Sequence, residues 1–255
     1  MQPVVFFGSA PLSTIVLSKL IEAKVPIVAV FTKPDKPVGR HLNLTPNPVK
    51  VLAQKHNIPV TDQLVNWSTG KLQPVGLVAA YGQIIPQSIL DKFSGQIYNI
   101  HPSLLPKYRG PSPLQQQILD GLTQTGVTII QLDAKMDHGP IVAQIKATIH
   151  PDDTSPSLGE RLFALGASWF IENYLQIKNW ELKIQDHSQA TYTKLLTRQD
   201  GFVPWEKFQH FRDATQIHQL FRAYHPWPGV WSLDPQGRRV KLASLQALSI
   251  TKTSP

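Results

Sequence analysis

The order of the first three patterned segments constrains this chain more than any other feature. Pro3–Gly8 (PVVFFG) is a short apolar run closed by glycine, which predicts a buried strand and its exit turn. Over Thr14–Lys24, the residues Ile15, Val16, Leu17, Leu20 and Ile21 form a broad helical stripe, and Pro26–Phe31 (PIVAVF) is a second β-branched run. Strand, helix and strand at this spacing make a βαβ unit, which commits the N-terminal part to a parallel sheet. Val75–Ala80 and Gln96–Ile100 supply further strands, with a helix between Pro86 and Phe93.

Beyond that point the pattern changes. Pro113–Gly121 reads as a helix ended by glycine, and Val127–Leu132 and Ile141–Ile149 as strands separated by the turn Asp137-His138-Gly139. Strands joined by a short turn pair antiparallel, so the sheet is expected to be mixed. A long amphipathic helix fits Ser157–Gln176, with Thr154 and Ser155 as cap candidates. Segment 178–200 is polar and reads as a linker; Trp205, a helix at 213–223, the cluster Tyr224–Gly229 and a hairpin turning at PQG follow. The expected division is an α/β domain over 1–180, a linker over 181–203 and a small appendage over 204–255.

Composition excludes several chemistries. The chain has no cysteine, so disulfides, thiolate zinc sites, iron–sulfur clusters and cysteine nucleophiles are all ruled out. Its nine histidines form no HExxH pair, and no metal site is expected. No apolar run reaches the roughly 18 residues of a membrane span, and MQPVVFFGSAPLS lacks a signal peptide's basic start, so a cytoplasmic protein is expected. The first turn, Gly8-Ser9-Ala10-Pro11, has no GxGxxG, which removes the main support for dinucleotide binding. The formal charge of +8 is uneven: residues 190–255 carry nine Lys and Arg against four Asp and Glu. Segment 33–50 adds Lys33, Lys36, Arg40 and Lys50 against Asp35 alone. Such clusters read either as a surface for phosphates or as a solvated face.

Ligands of open α/β sheets bind at the carboxyl ends of strands. The exit of the strand over 96–100 is the densest such place, and Asn99 and His101, two apart on a strand, point to the same side. An amide donor beside an imidazole suits attack on a carbonyl: the amide stabilises the developing oxyanion, and the imidazole takes or relays a proton. The same pair could merely tie down a loop. Asp137, in a DHG turn, is either a turn former or a carboxylate that orients His101. Trp205, Trp227 and Trp231 either stack on bases or, as expected here, form the core of the appendage.

Together these stretches resemble the formyltetrahydrofolate-dependent formyltransferases, from Val4 to about Lys241. The most specific piece is GVTIIQLDAKMDHGPIV at 126–142, followed by NIHPSLLPKYRGPSPLQ at 99–115. FTKPDKPVGR with PNPVKVLA, over 31–53, is similar to the tRNA-acting branch; YGQIIP at 81–86 and YHPWPGVW at 224–231 also match. The resemblance implies a Rossmann-like catalytic domain with a mixed, mostly parallel sheet and an OB-like C-terminal appendage. It implies that Asn99, His101 and Asp137 form the catalytic triad. Ser103, Leu104, Leu105 and Pro106 would then hold the folate, with Tyr81, Gly82 and Ile84 lining the pterin pocket. Arg40 falls on a loop that approaches the tRNA acceptor arm, joined by Lys33, Lys36, Arg238 and Arg239 as expected tRNA contacts. The implied donor is 10-formyltetrahydrofolate and the implied acceptor is the α-amine of methionine on initiator methionyl-tRNA, handled by a monomer.

There are two departures from the family. The loop after Gly39-Arg40 continues His41-Leu42-Asn43-Leu44 where the family is usually rich in lysine. After Trp205 only 50 residues remain, so the OB-like appendage is expected to be incomplete, since an OB fold needs about five strands. The rival readings are an enzyme formylating a nucleotide-linked amino sugar, a hydrolase releasing formate from the same folate, and a non-catalytic RNA-binding protein on the same scaffold.

Overall fold

A computed structural model describes residues 2–38, 43–63, 73–209 and 214–244. Strand β1 (Val4–Phe7) is buried on both faces: Val4 and Phe6 belong to one core cluster, Val5 and Phe7 to another. That alternation is what a strand sandwiched between two helical layers requires. Helix α1 (Pro11–Glu22) opens with proline in its first turn, where the missing N–H costs nothing. Its residues Val16, Leu17 and Leu20 are buried, and the chain returns as β2 (Ile27–Phe31), parallel to β1.

A short hairpin of β3 (Lys36–Val38) and β4 (Asn43–Thr45) follows, then α2 (Pro48–Lys55) and β5 (Val60–Thr61). Sequence patterning missed these three small elements and the helix. The β4 strand is exposed, and α2 has eight residues behind a Pro-Asn-Pro stretch. What makes α2 is a cap: Asn47 Oδ1 accepts the N–H groups of Val49 and Lys50, both at 3.1 Å.

The sheet continues on the other side of β1 with β6 (Val75–Val78), the short α3 (Gln87–Leu90) and β7 (Ile97–His101). Helix α4 (Pro113–Leu119) leads to β8 (Gln124–Gln131) and β9 (Ile141–Thr148), which pair antiparallel as expected. The seven-stranded order is β5-β2-β1-β6-β7-β8-β9, so the sheet is mixed and mostly parallel. The chain winds outward from β1 in both directions, which opens a crevice at the carboxyl ends of the central strands.

Helix α5 (Ser155–Asn173) packs across α1 and begins two residues before the expected start. Thr154 and Ser157 close a reciprocal capping box there. Residues 181–203, expected as a linker, lie along the larger α/β part: Lys183 pairs with Ile141, and Thr191 and Thr193 with Arg109. The C-terminal part has α6 (Trp205–Gln209), α7 (Ala214–Tyr224) and the hairpin β10 (Trp231–Leu233) and β11 (Arg239–Lys241). Its own apolar cluster contains Val203, Ile217, Val230, Val240 and Leu242. Helix α7 is also bound to the larger domain, where Ser155 Oγ donates to Ala223 O and Arg222 donates to the carbonyls of His150 and Asp153. Of the expected tryptophan core, Trp231 is buried, Trp205 packs on the cluster, and Trp227 is instead 52% exposed. Among the described residues, no helix is long and apolar enough to cross a membrane.

Candidate active site

Strand β7 carries Asn99 and His101 to its carboxyl end on one face, and antiparallel β8 sets Ile130 and Thr128 opposite them. The third group arrives from the β8–β9 connection, where Asp137 sits in the left-handed region at φ +48. Such a backbone costs a non-glycine residue on the order of 1–3 kcal/mol and persists only where the surroundings enforce it. The enforcement is visible two residues on: a Cβ on Gly139 would lie 1.9 Å from the Gln131 carbonyl oxygen, so only glycine fits that approach.

Asp137 Oδ1 lies 3.4 Å from Asn99 Nδ2 and 3.5 Å from His101 Nδ1, while its Oδ2 accepts the Gly110 N–H at 2.8 Å. The structure therefore brings together three residues that the sequence separates by up to 38 positions. The two longer distances exceed those of tight hydrogen bonds, as is common before a reactant draws catalytic groups together. His101 Nε2 is 2.9 Å from the Tyr108 carbonyl oxygen. A carbonyl only accepts, so Nε2 carries a proton, and Nδ1, facing Asp137, is the nitrogen able to exchange one. His101 is only 4% exposed, which places its chemistry in a low-dielectric site.

Behind the triad lies a support that sequence reasoning missed. Arg109 is almost fully buried; its guanidinium donates to Gln185 Oε1 at 2.6 Å, Tyr192 Oη at 3.1 Å and His187 Nδ1 at 2.8 Å. Gln185 Nε2 in turn donates to the carbonyls of Asp137 and Gly139, at 2.9 and 2.7 Å. The segment read as a linker thus grips the backbone of Asp137. His187 also stacks on His138 at 3.9 Å, and His138 is paired with Asp133. Burial, with the nearby cations, lowers the His187 pKa, which keeps Nδ1 available to accept from Arg109. Of these residues only Arg109 carried a signal, inside the NIHPSLLPKYRG stretch.

The expected folate loop is firmly held by its own bonds. Ser103 Oγ donates to Lys107 O, Thr128 Oγ1 donates to Ser103 O, and Gln144 Nε2 donates to Leu105 O. Ser103 and Leu105 are buried, Leu105 in a cluster with Ile130 and Ile141, so their side chains brace the loop from within. Leu104 and Pro106 are half-buried. Tyr81 packs edge-on against Phe7, and its hydroxyl is buried with no hydrogen-bond partner among the described residues; burial, with Asp62, pushes its pKa up to about 12. Gly82 adopts φ +65 beside the Lys33 amine, and Ile84 is 82% exposed.

The expected tRNA contacts are scattered. Lys33 is half-buried, and burial with the neighbouring Lys36 lowers its pKa; Lys36 is exposed. Arg238 is tied to Asp234 at 2.7 Å, while Arg239 lies over the Trp231 ring at 4.1 Å. Arg40 lies outside the described residues.

Residues 1–174 match the family described as formyl transferase, and residues 195–255 its C-terminal domain. The methionyl-tRNA formyltransferase of Chloroflexus aggregans is 42% identical over 238 residues, 90% of this chain and 75% of that protein. The enzyme of the same name from Geobacter metallireducens is 36% identical over 249 residues, 94% of this chain and 78% of that one. Among solved structures, a 4-N formyltransferase from Francisella tularensis superposes with a TM-score of 0.72, at 18% identity and 99% coverage of both chains. An N-formyltransferase from Helicobacter canadensis, solved with folinic acid and dTDP-3-aminofucose, gives 0.64 at 21% identity, covering 88% of this chain and 80% of that one. At such identities the structures speak for the fold, whereas the family match spans both parts of the sequence: this chain is a member of the formyl transferase family.

Proposed function

We propose that this chain transfers the formyl group of 10-formyltetrahydrofolate to the α-amino group of methionine on initiator methionyl-tRNA. The observation that carries the chemistry is the convergence of Asn99, His101 and Asp137 at the carboxyl end of β7. The acceptor rests on relatives of that name, 34–42% identical over most of this chain. The residues suit a formyl donor, since the Asn99 amide and the His101 imidazole offer two N–H groups side by side for one oxygen. The folate supplies an activated formyl group and a nitrogen leaving group.

Asn99 Nδ2 and the protonated Nδ1 of His101 donate to the formyl oxygen as negative charge builds on it. Removing one such donor typically costs about 10²–10³ in turnover. Asp137 Oδ1 receives the proton lost by the attacking amine. Through His101 Nδ1, 3.5 Å away, it returns that proton to the departing folate nitrogen, so the proton count closes within one turnover. Gly110 N–H and Gln185 keep Asp137 aimed while this happens. One chain carries all of these groups, so the reading needs no second copy. Lys36 and Arg239 offer positive charge to phosphates, and we assign 1–180 to catalysis and 204–255 to RNA contact.

The direct test offers the protein 10-formyltetrahydrofolate with charged initiator methionyl-tRNA and, in parallel, a nucleotide-linked amino sugar. Formyl-methionine on the tRNA alone is the expected product. Formylation of the sugar alone would overturn the acceptor while keeping the triad.

A further inference from the structure

A second group of chemistry-bearing side chains converges in the C-terminal part. Arg198, Trp227, Pro228, Trp231, Arg239 and Lys241 line a cavity of about 220 Å³. In the antiparallel hairpin Trp231 stands opposite Lys241 and Leu233 opposite Arg239, so Trp231, Arg239 and Lys241 share one face. The Arg239 guanidinium lies 4.1 Å from the centre of the Trp231 ring. The remaining wall is the short turn at Arg198–Gly201. Trp231 Nε1 donates to Arg198 O at 2.9 Å, and a Cβ on Gly201 would stand 1.9 Å from the Gly229 carbonyl oxygen. Glycine at 201 therefore lets the turn press against the Pro226–Gly229 loop and brings Arg198 beside Trp227.

The chemistry of this lining is one-sided. Among the described residues it holds three cations and two indoles but no carboxylate. The acids nearest in sequence are engaged elsewhere, Asp200 with Lys194 and Asp234 with Arg238. Three like charges around one cavity repel each other, and an anion seated between them relieves that repulsion. Trp227, 52% exposed at the rim, offers an indole surface that core packing does not use. A ligand meeting both demands is an anion carrying a flat aromatic group. The volume is below the roughly 300–1,000 Å³ of drug-sized sites, which suits one small unit rather than an extended cofactor.

We propose that this pocket is a nucleotide-binding site, in which a base stacks on Trp227 and its phosphate sits among Arg198, Arg239 and Lys241. The nucleotide is either free or an unpaired residue of an RNA. The site stands whether or not methionyl-tRNA is the acceptor, because its evidence lies outside the triad.

Isothermal titration calorimetry on the full chain tests it, with adenosine monophosphate, adenosine, inorganic phosphate and an unpaired adenylate trinucleotide as probes. The monophosphate and the trinucleotide should bind at least tenfold more tightly than adenosine or phosphate alone. Trp227→Ala should weaken both about tenfold, the usual scale of base stacking on an aromatic, whereas Trp227→Phe should retain binding. Arg239→Glu should weaken them further, with circular dichroism confirming the fold of each variant. Displacement of the monophosphate by uncharged tRNA assigns the nucleotide to RNA; failure to displace it assigns the pocket to a free nucleotide. Phosphate binding as tightly as the monophosphate, no binding of the monophosphate, or wild-type affinity in a folded Trp227→Ala protein would overturn the proposal.

Discussion

The carboxyl end of β7 and the hairpin of β10 and β11 differ in how they hold charge. At β7 His101 is buried and Asp137 half-buried, and both are held in place: Asp137 Oδ2 by the Gly110 N–H, the Asp137 carbonyl by Gln185, and His101 by Tyr108 O. At the hairpin Arg238 is exposed and bonded to Asp234 and Gln236, while Arg239 and Lys241 are half-buried beside the cavity, Arg239 over the Trp231 ring. Stabilising a transient charge within one turnover requires donors that do not have to reorganise. Attracting a polyanion requires only net charge within a Debye length of roughly 8–10 Å, so looser side chains suffice. If this contrast is correct, substitutions at the first place should change turnover and those at the second should change affinity.

The largest effect belongs to the triad. His101→Ala and Asp137→Asn should each lower kcat by about 10²–10⁴, with little change in the KM for tRNA. Steady-state formyl transfer, with circular dichroism as a control for folding, measures this. Full turnover in either folded variant would remove the triad from the mechanism and erase the contrast.

The second effect separates position from chemistry at the same site. Gln185→Glu keeps the side chain's size and can pair with Arg109, but it can no longer donate to the carbonyls of Asp137 and Gly139. Turnover should fall about ten- to a hundredfold, because small displacements of a catalytic group are costly. Gln185→Ala should also lose stability, since each buried polar group left unpaired costs about 1–3 kcal/mol. If Gln185→Glu lost stability in proportion to turnover, the residue would be structural only.

The sequence made the sheet legible and the site only half so. Runs such as VVFF and IVAVF declare buried strands because both faces need apolar residues. Asn99 and His101 were readable as a pair because strand geometry alone puts them on one side. Asp137 was readable as a turn residue, but its meeting with His101 depends on β8 crossing beside β7, a long-range fact with no local signature. Gln185 was invisible for a related reason: a polar residue in a polar stretch looks like linker until its carbonyl partners are known. Tyr81 shows the opposite limit. Its ring is buried edge-on against Phe7, a core contact that nothing in YGQIIP announces.

A third prediction concerns the joint between the two regions. Burial alone would raise the Asp153 carboxyl, but the His150 N–H, the Arg161 guanidinium and the Ser157 hydroxyl outweigh it and hold the pKa below the usual range. A carboxyl depressed in the folded state stabilises the fold above its unfolded value, about 3.9, and that contribution disappears as pH falls through the folded value. Thermal unfolding between pH 3 and 7 should therefore show the wild type losing stability below about pH 4 more steeply than Asp153→Asn. Equal slopes would mean that Asp153 does not govern the acid limit. Because the Asp153 carbonyl also accepts from Arg222, acid should loosen α7 before the central strands, which hydrogen exchange can follow.

The smallest effect lies within the hairpin and tests whether exposure alone defines a contact. Arg238 and Arg239 are adjacent in sequence, yet Arg238 is neutralised by Asp234, which also accepts the N–H groups of Gln236 and Arg238 to close the turn. Arg239 has an aromatic partner and no carboxylate partner among the described residues, so its charge remains available to a phosphate. Arg238→Ala should change the KM for tRNA less than about twofold, since the Arg238 charge is already offset by Asp234. Arg239→Ala should raise that KM several-fold at low salt, and the difference should shrink as salt increases, because each phosphate contact contributes a slope of roughly −0.7 to −0.9 to the logarithmic salt dependence. The comparison is decided by the salt titration: if Arg238→Ala and Arg239→Ala give the same slope, the hairpin acts through its net charge alone, and the distinction between a paired and an unpaired guanidinium has no bearing on RNA affinity.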